Sequence, residues 1–149
     1  MNHHKYPLSI RVFHWVTAAV ILGQIIFGFL MEDLPKSVIK YHLIVGVFIL
    51  SLALIRIGLR IANKHHMPGR PPKLSSREWL AAKMGHWLLY LTIIALPLTG
   101  VYGYLGKNHD VLEIHETLVW IFIVLVCGHM AAVLGHIFIH KVNIMKRIV

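Results

Sequence analysis

The sequence has one cysteine and few acids. Cys127 has no second thiol to pair with, so an internal disulfide is excluded. The spacing C-x-x-C-H is missing, which excludes covalent attachment of a c-type haem. Six residues are Asp or Glu, against fifteen Lys and Arg. None of the acids falls in the middle of an apolar run: Glu32, Asp33, Glu78, Asp110, Glu113 and Glu116 all flank such runs. A cation path through a membrane would call for acidic groups at mid-depth, so a metal transporter is disfavoured. Segments of alternating polarity about ten residues long are absent, which argues against a transmembrane barrel. Polar stretches are scarce, the one long example running from Asn63 to Trp79. The first apolar run is too long for the core of a secretory signal and has no small-residue cleavage site after it, so no signal cleavage is expected.

What is present is apolar length. Hydrophobic residues make up 57% of the 149, above the roughly 45–50% of soluble domains. Four spans of about 20 residues fit, with no room for a separate soluble domain. Backbone groups in hydrocarbon need partners within their own segment, so the spans are expected to be helices. The expectation is an all-α membrane protein, a four-transmembrane-helix bundle forming a single domain over 1–149. The first span is placed at Leu8 to Met31 and the second at Lys36 to Ala62, each behind a proline suited to a first helical turn, Pro7 and Pro35. The third starts at Ser75-Ser76-Arg77-Glu78, which reads as a capping box. It passes Pro97, where a kink or a freed carbonyl is expected, to an outer end loosened by Gly100 and Gly103. The fourth starts near Ile114.

Charge gives the orientation. Lys36, Lys40 and Lys107 lie on one side, together with Glu32, Asp33, Asp110, Glu113 and Glu116. The remaining Lys and Arg lie at the N-terminus, around the 63–80 loop and in the tail with Lys141, Lys146 and Arg147. By the positive-inside rule both termini are cytoplasmic. The net charge of +9 then needs no nucleic acid to explain it, and the expected partner is a lipid bilayer.

The histidines carry the chemistry. His115 and His129 are 14 residues apart in one apolar run. Fourteen residues turn through about 1400°, some 40° short of four turns, so both lie near one helix face about 21 Å apart along the axis. His14 and His42 each lie seven residues after their proline, on spans that enter from opposite sides. Depth therefore sorts His42 and His115 into an outer layer, and His14, His86 and His129 into an inner one. Ionisable groups at these depths are costly and mark functional sites. Zinc would favour a compact tetrahedral cluster, usually with Cys or carboxylate. Facing imidazoles on different spans suit the two axial positions of haem iron, with Gly46, Gly85, Gly128 and Gly135 leaving flat slots beside them. The competing account of any single His is an interfacial residue or one bonded to a neighbouring helix. Arg56 lies 14 residues after His42 and Arg60 one turn further; both suit a haem propionate or a quinone, or serve as snorkelling anchors. His136, two turns beyond His129, suits a quinone carbonyl, a propionate or the interface. His3, His4, His65, His66, His109 and His140 read as loop or interface residues. Trp15, Trp79, Trp87 and Trp120 read as an aromatic belt, and Cys127 and the methionines as packing.

Five segments, in order, resemble the prokaryotic cytochrome b561 family: IRVFHW at Ile10–Trp15, YHLIVG around His42, GHWLLYLTIIALPLTG from Gly85 to Gly100, HETL at His115, and GHMAAVLGH from Gly128 to His136. The chain is also similar to the cytochrome b subunits of formate dehydrogenases and hydrogenases. The 103–113 loop is shorter than in the superoxide oxidases of the family. The resemblance implies two haem b groups, the outer held by His42 and His115 and the inner by His129 and His14. His86 is then either the true partner of His129 or a group lining a quinone pocket. It further implies a bacterial inner-membrane cytochrome of the respiratory chain, passing electrons between an outer donor and a quinone on the inner side. Superoxide as donor and ubiquinone as acceptor would make it an enzyme, a superoxide:ubiquinone oxidoreductase. The alternative is a membrane-anchor subunit relaying electrons for a separate dehydrogenase or reductase.

Overall fold

The computed structural model describes residues 5–71, 74–138 and 148. His3, His4, His140, Lys73, Lys141, Lys146 and Arg147, which the sequence reading placed at loops, interface or cytoplasmic side, lie outside them, as does the side chain of Glu32.

Among the described residues the chain is all helical, with four helices long and apolar enough to cross a membrane. Helix α1 spans Leu8–Leu30. Pro7 stands just before its first turn and is extended (φ −48°, ψ 143°), and its carbonyl accepts from the N–H of Arg11. Pro35 does the same for the short turn Lys36–Val38, which runs into α2, Ile39–Ala62. Both prolines thus sit one position outside the turn expected of them. Helix α3 spans Ser76–Leu105, and the capping box is formed: Ser75 Oγ accepts from the N–H of Glu78, and Glu78 accepts from the N–H of Ser75. The helix continues through Pro97.

Helix α4 spans His109–Phe138, so it starts five residues before Ile114. The side chain of Asn108 accepts from the N–H of Val111, capping the new start. Lys107 takes a left-handed conformation (φ 50°), and the N–H of Asn108 returns to the carbonyl of Gly103. A Cβ on Gly103 would lie 2.8 Å from Leu112 Cδ2 and 3.2 Å from the Leu112 nitrogen. Gly103 therefore does not loosen the end of α3. It lets α4 close against it, and the extra polar turn of α4 extends past the hydrocarbon.

Packed neighbours are α1 with α2, α2 with α3, and α3 with α4. The bundle buries little: Ile49, Ala53, Ile93 and Phe122 form its centre. Large apolar side chains such as Leu22, Ile44, Leu91 and Val124 face outward, each more than half exposed. A surface of that kind is stable against lipid, where helices are held by packing and hydrogen bonds and gain nothing by hiding apolar side chains from water. Hydroxyls inside the spans are satisfied locally, Thr17 by the carbonyl of Phe13 and Thr92 by that of Leu88. The central layer matters for function because Phe122 lies seven residues from both His115 and His129. On α4 it stands midway between His115 and His129.

Candidate functional site

A cavity of about 600 Å³ opens in the half of the bundle that holds His42 and His115, within the ~300–1,000 Å³ usual for small-molecule and cofactor sites. His42 and His115 both line it, with Gln24, Gly46, Pro97 and Phe122. The two imidazoles face each other with ring centres 6.5 Å apart and planes at 85°. His42 and His115 would be the residues to hold one haem between them, and their ring centres leave room for an iron ion.

The surroundings of His115 suit ligation. Its Nδ1–H donates to the carbonyl of Leu96 at 2.9 Å, with Thr99 Oγ1 at 3.3 Å. That bond leaves the Nε2 lone pair for a metal, and orienting bonds of this kind are usual behind ligating histidines. His42 differs: its Nδ1 is buried without a hydrogen-bond partner. Two glycines back the rings. A Cβ on Gly100 would lie 3.0 Å from His115 Cε1, and one on Gly28 would lie 3.3 Å from His42 Cε1. Of the glycines expected to make slots, Gly46 lines the cavity. Gly85, Gly128 and Gly135 face open space, with nothing within 4 Å of an added Cβ.

The opposite half gathers His14, His86, His129 and Arg56. His86 and His129 meet edge to face, ring centres 5.0 Å apart, and His14 lies within electrostatic reach of both. Arg56 Nη2 donates to His14 Nδ1 at 3.0 Å, and its guanidinium lies 5.6 Å from the ring centre of Tyr90. His86 Nδ1–H donates to the carbonyl of Ala82 at 2.7 Å. Arg60 follows one turn after Arg56 on α2, and His136 is half-buried two turns beyond His129 on α4. Among the described residues no three of His, Cys, Asp or Glu form a cage for a bare metal ion, so paired ligands are the arrangement at hand.

Sequence reading passed over Gln24, Gly28 and Tyr90. Gln24 had a signal, being an amide inside an apolar span. Gly28 and Tyr90 had none, because their roles depend on a neighbouring helix. Trp120, assigned to the belt, lies 5.6 Å from Phe29 at the cavity rim. Trp79 carries Lys83 over its ring at 5.5 Å.

The donor set therefore fits haem: paired imidazoles, one with its far nitrogen tied to a carbonyl, in a cavity of suitable size. Comparison with known proteins agrees. A family model described as prokaryotic cytochrome b561 matches residues 5–149. Similar proteins include two from Escherichia coli (strain K12). Cytochrome b561 homolog 2 is 26% identical, covering 96% of this chain and 90% of the relative. Cytochrome b561 homolog 1 is 28% identical, covering 90% of each. A probable superoxide oxidase CybB of Yersinia pestis is 28% identical over 66% of this chain and 57% of its own length. Matched over nearly its whole length, this four-helix membrane protein belongs to the prokaryotic cytochrome b561 family, and with that to the b-type haem proteins of membrane electron transfer.

Proposed function

We propose that the chain is a di-haem b-type cytochrome of the bacterial inner membrane, with both termini cytoplasmic. It carries electrons between an outer donor and a quinone on the inner side. The observation that carries this reading is the facing pair His42 and His115 at 6.5 Å, repeated four turns down α4 by a second histidine cluster around His129. Bound haem supplies one-electron iron chemistry at a potential set by axial ligands, burial and nearby hydrogen bonds. The chain holds the iron ligands at two depths, excludes water with its apolar centre, and keeps Phe122 between the two sites.

The outer ligands are His42 and His115. The inner ligands are His129 and His14. The ring centres of His86 and His129 stand 5.0 Å apart, closer than those of His42 and His115. Ligation through His14 Nε2 requires the proton to sit on Nδ1. The bond from Arg56 must then break, which frees Arg56 for a haem propionate or a quinone. A second inner pairing, His86 with His129, is favoured by one observation: His86 Nδ1–H is tied to the Ala82 carbonyl, as His115 is tied to that of Leu96. In the preferred arrangement His86 Nδ1–H stays on the Ala82 carbonyl, so Nε2 is an acceptor; it takes up a proton from water on the inner side and, as the imidazolium, donates it to a quinone carbonyl on reduction. Arg60 and His136 border the same inner region and are assigned to propionate or quinone.

Superoxide as donor draws support from the Yersinia relative, a probable superoxide oxidase; ubiquinone as acceptor rests on the family resemblance alone. Pyridine haemochrome analysis of the purified protein should return about two acid-extractable haems per chain; one or none would overturn the architecture. Purified protein that reduces added ubiquinone with superoxide acts as an enzyme on its own. A di-haem protein that fails to do so is the relay subunit of a separate dehydrogenase or reductase.

A further inference from the structure

We propose that Gln24 is a positioning residue for His42 and sets the redox potential of the outer haem. The inference rests on the reading that His42 ligates that haem. Gln24 Nε2 on α1 donates to the backbone carbonyl of His42 on α2 at 2.8 Å, and Gln24 lines the same cavity as His42 and His115. The carbonyl of a residue within a helix has the N–H four residues on as its partner. The bond from Gln24 is therefore additional, and no backbone group would be orphaned if an apolar residue stood at this position. A carboxamide in hydrocarbon carries a desolvation cost that an apolar residue avoids.

The neighbours of this bond are arranged around it. A Cβ on Gly46 would lie 3.7 Å from Gln24 Nε2 and 4.0 Å from Pro97 Cβ, in ordinary van der Waals contact, so Gly46 packs beside the amide. Gly28, one turn after Gln24, backs the imidazole itself, at 3.3 Å from its Cε1. Helix α1 thus holds His42 at two successive turns, by its backbone and by its ring. His42 depends on this hold, because its buried Nδ1 lacks the partner that steers His115. An amide dipole held beside the site in a low-dielectric setting acts on the charge of the iron. Losing it should shift the potential.

The test is a redox titration of the purified holoprotein carrying Gln24→Met, similar in length without the donor, alongside His42→Ala. Gln24→Met should retain two haems, with one midpoint potential shifted and the low-spin signal of that haem displaced. The other haem should not move. The displaced haem should be the one that His42→Ala loses. Gln24→Asn, which keeps a shorter amide, should return part of the shift. Unchanged potentials and signals in Gln24→Met, or a shift in the haem that His42→Ala retains, would overturn the inference. Two haems surviving in His42→Ala would instead overturn the ligand reading beneath it.

Discussion

His115 on α4 donates its Nδ1–H to the carbonyl of Leu96 on α3, 19 residues away and at 2.9 Å. Its ring lies in a notch whose wall is the bare Cα of Gly100 and whose rim is the hydroxyl of Thr99. The bond chooses the tautomer and the notch chooses the orientation. Together they fix the ring against α3 and leave the Nε2 lone pair free.

A methyl group in that notch should be felt. In Gly100→Ala the new Cβ would stand 3.0 Å from Cε1 and 3.2 Å from Nδ1 of His115, so the ring must shift by a few tenths of an ångström and its bond to Leu96 weakens. The expected outcome is reduced occupancy and a displaced spectrum of the outer haem. Gly28→Ala, at 3.3 Å from His42, should show a smaller effect of the same kind. Equal and unaltered spectra in both variants would remove the glycines from the site.

Gly103→Ala tests the fold apart from the site. The added Cβ meets both the side chain and the backbone nitrogen of Leu112, and backbone cannot swing away. Overpacking of this kind costs about 1–3 kcal/mol. Thermal unfolding in detergent should fall accordingly, while the haem spectra keep their wild-type shape.

Ligand assignment by layer makes a sharp demand. His42→Ala and His115→Ala should each remove the same haem, the outer, and leave the inner. His129→Ala should remove the other. Low-temperature reduced-minus-oxidised spectra distinguish the two populations. If His42→Ala abolished the band that His129→Ala abolishes, the layers would be wrongly drawn.

The inner site turns on two variants read together. His86→Ala should keep both haems and slow quinone reduction by roughly 10²–10⁴-fold, the usual loss when a positioned proton donor is removed. His14→Ala should lose the inner haem. The reverse result, one haem lost in His86→Ala and two kept in His14→Ala, exchanges the roles and leaves His14 with Arg56 on the quinone side.

Much of this protein is legible in its sequence, for local reasons. Span number follows from apolar length, since hydrocarbon thickness sets how many residues a crossing takes. The capping box at Ser75 and Glu78 is a contact over three residues and formed as read. The family is legible because each span carries its histidine in order, and a family model matches residues 5–149. Apolar length places the fourth span from near Ile114, whereas α4 starts five residues earlier, at His109. The cap at Asn108 and the left-handed Lys107 continue α4 beyond Ile114.

The sequence by itself determined which faces carry histidine and at what depth, because helix pitch converts spacing into angle and rise. It could not determine what stands opposite each face. That depends on the rotation and tilt of each helix against its neighbours, which interhelical packing sets. Only the tertiary structure brought Gln24 to the carbonyl of His42, Leu96 to the ring of His115, and Arg56 to His14. Each of these bonds joins residues at least 18 positions apart, on helices whose mutual rotation no single span records.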